Sequence, residues 1–160
     1  MSYRFTKVVL YSFIKLIRMK KSNHKVSQTI DVSPSAAWQI IGAVEGVDKW
    51  LMPIQACRVE GGKRYCTTEK GEFAEDILKI DHENYIFKYR IPSQNMMPIE
   101  NILGQMSVNS AGGKAVVEWA WEFDVEEATE ATAKEMLTMI GNMGIEGIES
   151  LIKKEAGLAA

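Results

Sequence analysis

Residues 115–154 read AVVEWAWEFDVEEATEATAKEMLTMIGNMGIEGIESLIKK. Up to Val125 the chain alternates. Val117, Trp119, Trp121 and Phe123 point one way, and Glu118, Ala120 and Glu122 the other. That is a strand with one apolar and one wet face, as antiparallel sheets have. From Ala128 to Lys154 the period becomes helical, with Met136, Ile140, Met143, Gly147 and Leu151 recurring at three and four. A strand of large aromatics followed by a single long helix predicts that the helix covers the apolar face of the sheet. This is an α+β layout.

Working back from that stretch, the same alternation recurs. Ile99–Asn109 is a strand joined to Ala115–Val125 through Ala111-Gly112-Gly113, with Ile102, Gly104, Met106 and Val108 opposing Asn101, Gln105 and Ser107. Residues 92–98, PSQNMMP, form a Pro-bounded loop. Tyr85–Ile91 and Phe73–Ile80 are strands flanking the polar turn Asp81–Asn84. Gln55–Glu60 and Lys63–Thr68 flank Gly61-Gly62, a two-residue hairpin signal. Upstream, Ser33 caps a helix over 34–43 with Pro34 at its first position, and a short helix or turn spans Val44 to Trp50. Residues 25–32 form the first strand of the domain.

Composition bounds the function. The chain has 160 residues, 46% hydrophobic and 25% charged, which suits one globular domain with a workable core. No apolar run reaches the ~18 residues that a membrane span needs. Six of the nineteen Lys and Arg fall in residues 1–21, which hold no acid, so residues 22–160 carry 13 bases against 21 acids, a net −8. The acidic domain is a poor candidate for nucleic-acid binding. On a helical wheel Arg4, Lys7, Lys15 and Arg18 share a face opposite Phe5, Val9, Phe13 and Ile17, the pattern of a basic surface-seeking helix. Residues 1–22 therefore read as a leader, either dispensable (Met19 serving as the start) or a membrane anchor, with the dispensable reading preferred. Residues 23–160 read as the single domain, and membrane contact is expected only through residues 1–21. A secretory signal fits badly because Lys15 interrupts the apolar region, so a cytoplasmic location is expected. His24 and His82 lack metal-ligand or Ser-His-Asp spacing, and no phosphate loop or dinucleotide fingerprint is present, so no metal or cofactor is expected.

The run VSQTIDVSPSAAWQII, then Trp50 to Pro53, Gly61-Gly62 with Arg64, GEFAEDILKID, FKYRI, VVEWAWEF and GIEGIESLIKK resembles the START-like helix-grip (SRPBCC) superfamily. More narrowly it is similar to the bacterial polyketide cyclase/dehydrase branch. The resemblance spans roughly 25–155. It implies a curved antiparallel sheet of about seven strands wrapped around the C-terminal helix. It also implies two short helices after the first strand and a deep cavity for a small hydrophobic molecule such as a lipid, polyketide or aromatic compound. Two departures, Trp50-Leu51-Met52-Pro53 in place of Trp-x-Pro and a short hairpin after Arg64, predict an altered entrance.

The aromatic residues are either plain core or a pocket wall, and the resemblance tips Phe87, Tyr89, Trp119 and Trp121 toward the wall, with Trp38 and Trp50 structural. Ile102, Met106, Met136, Ile140 and Met143 fall on the same expected cavity face. Nine methionines suit either an adaptable apolar surface or gap-filling in a core. Gly104, Gly144 and Gly147 either leave volume for a ligand or permit close helix–sheet approach. Glu100 shares the parity of Ile102 and is expected at the mouth. Residues 92–98 and 50–53 are expected to gate entry.

Glu75 is the main polar candidate, since relatives commonly carry Glu at the matching place. Facing the cavity, its pKa would rise and it would serve as general acid or base with Tyr89 assisting, in a cyclase, dehydratase or lyase. The plainer alternative, an inward Glu75 paired with Arg64 on the adjacent strand, is preferred. Arg64 would otherwise help orient a ligand.

If Gly61-Gly62 is the turn, Glu60 opposes Lys63 and, counting outward, Cys57 opposes Cys66 in a non-hydrogen-bonded pair. A cross-strand disulfide is geometrically open, but compartment favours two reduced thiols. The leading functional expectation is a binding protein for a small hydrophobic molecule. An enzyme using Glu75, and a protein-contact or membrane-surface module using the basic leader, are the alternatives.

Overall fold

The computed structural model describes residues 18–157. The surface-seeking helix read at the N-terminus lies almost wholly outside them. Among the described residues no helix is long and apolar enough to cross a membrane.

Seven antiparallel strands form one sheet: β1 (Met19–Ile30), β2 (Ala56–Glu60), β3 (Lys63–Thr68), β4 (Gly71–Asp81), β5 (Ile86–Ile91), β6 (Ile99–Ala111) and β7 (Lys114–Glu126), in the order β1-β7-β6-β5-β4-β3-β2. Every neighbouring pair except β1 and β7 is consecutive in sequence, so short turns suffice. Two helices, α1 (Pro34–Ile41) and the long α2 (Glu130–Glu155), complete the layout, with a 3-10 turn at Val47–Lys49. This is the expected helix-grip arrangement.

Local chemistry explains the elements. Ser33 Oγ accepts from the Ala36 amide and Pro34 opens α1, as its sequence predicts. Gly61 and Gly62 both hold positive φ (58° and 75°), which a two-residue hairpin turn demands. The turn sets Glu60 opposite Lys63 and Cys57 opposite Cys66. Trp38 stacks on Tyr85 at 5.3 Å and donates from Nε1 to His82 Nδ1, securing α1 to the turn after β4.

At several places the structure corrects the sequence reading or decides between its alternatives. β1 starts at Met19 rather than Lys25, because β7 runs to Glu126 and supplies a partner for every residue back to Met19. Ladder hydrogen bonds override the weak strand propensity of Lys20–His24. Secondly, α2 buries Ala133, Leu137, Gly141, Gly144, Ile145 and Ile148, a stripe rotated from the expected one. Small residues face the sheet because bulky ones stand opposite. A Cβ at Gly144 would sit 2.7 Å from Trp119 Cζ3, and one at Gly141 2.9 Å from Trp121. Met136, Ile140 and Met143 are half-buried at the border instead. Thirdly, of the two readings of Gly104, Gly144 and Gly147, ligand volume or close approach, the structure takes the second. The Tyr89 ring lies over Gly104, the Trp119 ring over Gly144 and the Trp50 backbone against Gly147. Close approach is what these glycines permit. Fourthly, Cys57 and Cys66 are joined in a disulfide with Cα atoms 4.3 Å apart, where reduced thiols were expected. The short separation of a non-hydrogen-bonded pair brings them together. A disulfide sits against the expected cytoplasmic setting, since such bonds persist in oxidising compartments.

Candidate functional site

Four stretches far apart in sequence converge beside the N-terminal half of α2. Met52, Pro53 and Gln55 come from the segment before β2, and Thr68, Glu69 and Lys70 from the β3–β4 turn. Met96 and Met97 come from the loop after β5, and Met136 and Ile140 from α2. Between them lies an open cleft of about 470 Å³. Its wall is largely thioether and aliphatic carbon, and Met52 is 85% exposed. A concave, largely apolar surface of this kind is a candidate site for a small molecule.

The cleft is built, not incidental. Gln94 pins the loop that carries Met96 and Met97. Its Oε1 accepts from the Met96 and Met97 amides at 2.7 and 2.9 Å, and its Nε2 donates to the Met97 and Ile99 carbonyls at 3.0 and 2.7 Å. Thr68 does the same at the opposite rim. Its hydroxyl donates to the Gly71 carbonyl and accepts from the Lys70 amide, both at 3.1 Å. Residues 50–53 and 92–98, expected from the sequence at the entrance, each contribute to the cleft wall, but the sequence reading missed Gln94 and Thr68. The signal available was a lone Gln inside a Pro-bounded loop, where a side-chain amide can stand in for missing backbone partners.

Behind the cleft the interior is closed. Phe87, Tyr89, Ile102, Met106, Trp119 and Trp121 are all buried. Phe87 stacks on Tyr89 with ring centres 5.4 Å apart, and Trp119 leans on Trp121 at 5.0 Å. The Tyr89 hydroxyl accepts from Trp119 Nε1 at 2.8 Å and Trp121 Nε1 at 3.2 Å. Burial, reinforced by the nearby Glu75 charge, holds the Tyr89 phenol far above its ordinary pKa, so it stays neutral. Trp50 Nε1 is the one buried side-chain polar atom without a hydrogen-bond partner among the described residues.

Arg64 and Glu75 stand opposite each other on β3 and β4, each 5% exposed, and form an ion pair through Arg64 Nε. Arg64 Nη1 also donates to the Val44 carbonyl at 2.8 Å, and the guanidinium lies over the Phe87 ring at 5.0 Å. Neither residue lines the cleft. Met143 packs half-buried against the core. Glu100 is exposed on the outer side, not at the mouth. The cause is a bulge between Glu100 and Leu103, with Asn101 at φ 51°, which breaks the alternation so that Ile99 and Ile102 both turn inward.

A larger hollow of about 590 Å³ lies against outward-facing residues of the sheet, including Lys21, Arg90, Asn101, Glu122 and Asp124. Pro92, Leu103 and Phe123 are its apolar members, and the charged and amide side chains around them make it a more polar surface than the methionine cleft. Among the described residues no three His, Cys, Asp or Glu side chains cluster as a metal site.

The sequence pattern of the family described as polyketide cyclase/dehydrase and lipid transport matches residues 23–151. The chain belongs to this family. Solved structures share the fold. An uncharacterized protein from Bacillus thuringiensis superposes with a TM-score of 0.72 at 20% identity, covering 80% of this chain and 96% of that one. The protein XoxI from Bacillus cereus gives 0.74 at 21%, covering 84% and 98%. A Thermobifida fusca protein gives 0.66 at 18%, covering 82% and 93%. No curated protein matches the sequence.

Proposed function

We propose that this protein binds a small hydrophobic molecule in the methionine-lined cleft between α2 and the loops at 52–55, 68–70 and 96–97. The observation that carries the reading is the convergence of Met52, Met96, Met97, Met136 and Ile140 on one concave surface held by Gln94 and Thr68. Its volume falls within the ~300–1,000 Å³ of small-molecule sites. Flexible thioethers adapt to ligands of differing shape, which suits a carrier. The family's lipid-transport members and its fold support the same reading. Glu75 as general acid or base has less support, because Arg64 already engages its carboxylate behind the cleft.

Fluorescence titration with 1-N-phenylnaphthylamine, an uncharged apolar probe, tests the proposal. Saturable binding is expected, weakened at least about tenfold by Ile140→Asp and by Met136→Asp, since an unpaired carboxylate in the wall must be desolvated when the probe seats. Binding that ignores both substitutions would overturn the assignment of the cleft. Native mass spectrometry of protein from its own host, with solvent extraction, would then identify the natural ligand.

A further inference from the structure

The thioethers that make the cleft apolar are also the groups that peroxide converts to polar sulfoxides. Both cysteines are already joined to each other, so no free thiol in the chain competes for the oxidant. Exposure orders the targets. Met52 is 85% exposed, while Met96, Met97 and Met136 are half-buried around the open cleft. Met139, 64% exposed on α2, is equally open to attack but does not line the cleft, whereas Met106 is sealed in the core at 1%.

We infer that Met52, Met96, Met97 and Met136 form a peroxide modification site, and that their oxidation closes the cleft to apolar ligands. The inference rests on the binding role proposed above. In each event the thioether sulfur attacks one oxygen of hydrogen peroxide. The S–O bond forms and the O–O bond breaks. The sulfur loses two electrons, and the departing hydroxide takes the proton of the transferred oxygen to leave as water.

The surroundings make the change costly for a ligand. A sulfoxide oxygen is a strong acceptor, and the fixed donors beside it are spent. Gln94 Nε2 serves the Met97 and Ile99 carbonyls, and the Thr68 hydroxyl serves Gly71. Water, or the exposed Lys70 ammonium or Gln55 amide at the rim, becomes the sulfoxide's partner, and an apolar ligand must break that contact to seat. Gln94 also holds the Met96–Met97 backbone in place, so the loop cannot readily turn the oxidised side chains away.

The full-length protein is treated with hydrogen peroxide, quenched with catalase, mapped by peptide mass spectrometry and titrated with 1-N-phenylnaphthylamine. Sulfoxide is expected at the four cleft methionines and also at Met139 and the 39%-exposed Met19, which do not line the cleft, and not at Met106. Affinity should fall at least about tenfold, equivalent to roughly 1.4 kcal/mol. Methionine sulfoxide reductases A and B together should restore it. A variant with Leu at positions 52, 96, 97 and 136, compared with its own untreated sample, should lose less than about twofold, while Met139→Leu should lose as much as the wild type. The inference is overturned by full sulfoxide at the cleft methionines with unchanged affinity, by cleft methionines that stay unmodified while Met139 is converted, or by a loss that persists after complete repair. The repair arm needs no variant, so misfolding of the fourfold substitution leaves the test intact. Absence of saturable binding before peroxide is added would instead strike the binding role itself, and this inference with it.

Discussion

Replacing Glu75 by Gln isolates the buried charge pair. Both Arg64 and Glu75 are 5% exposed, so the guanidinium left behind has neither countercharge nor water. The Val44 carbonyl at 2.8 Å and the Phe87 and Tyr89 rings at 5.0 and 5.8 Å remain beside it, and none carries a formal charge. Removing one member of a buried pair costs about 3–5 kcal/mol. A domain of this kind has roughly 5–15 kcal/mol in total. With a urea m-value of about 2 kcal/mol/M, the unfolding midpoint should fall by roughly 1.5–2.5 M. Urea unfolding followed by tryptophan fluorescence measures this directly. Arg64→Met alone should also destabilise, because it strands the Glu75 carboxylate. The double variant Arg64→Met with Glu75→Leu should recover most of the loss, since an apolar pair of similar volume is often neutral or stabilising. A Glu75→Gln midpoint within about 0.3 M of wild type would refute the reasoning, as would a double variant whose losses simply add.

Three further expectations follow from the same geometry. Tyr89→Phe orphans the indole donors of Trp119 and Trp121, each costing roughly 1–3 kcal/mol, so thermal unfolding should drop by several degrees, and an unchanged Tm would count against the network. Thiol titration of unreduced protein in denaturant should find no free thiol, and reduction should release two and lower stability by about 2–3 kcal/mol for a loop closed across a separation of nine residues. Lys20, Ser22 and Lys134 hold the Glu130 carboxyl down at about 2, tying β1 to α2. A folded pKa below the unfolded one gives stability that is complete above the unfolded value, near 4.5, and is lost as pH falls toward about 2. Glu130→Gln should flatten that part of the acid-unfolding profile, and an unchanged profile between pH 5 and 2 would refute the linkage.

Much of this architecture is legible in the chain because its signals are local. Alternation in Val117–Phe123 and Phe87–Ile91 assigns inward faces that the sheet keeps. Gly61-Gly62 sets the β2–β3 register, which brings Cys57 to Cys66, and the turn at Glu69-Lys70 sets the β3–β4 register, which places Glu75 opposite Arg64. The errors arise where one extra residue or one rotation intervenes. The bulge after Glu100 adds a residue that period-two counting cannot see, so Glu100 faces outward. The helical period of α2 is read correctly, but its rotation is decided by the side chains facing it: Val26 and Trp121 require Gly141, and Trp119 requires Gly144.

The sequence by itself determines an α+β domain of seven strands and one long C-terminal helix, its turns and its aromatic inner face, because each follows from periodicity, turn chemistry or strand register over a few residues. Only the tertiary structure decides where a ligand has room. Large side chains close the interior over their own glycines, and the open surface instead gathers methionines from segments up to eighty-odd positions apart. Packing volume is a sum over elements distant in the chain, and no local pattern encodes that sum.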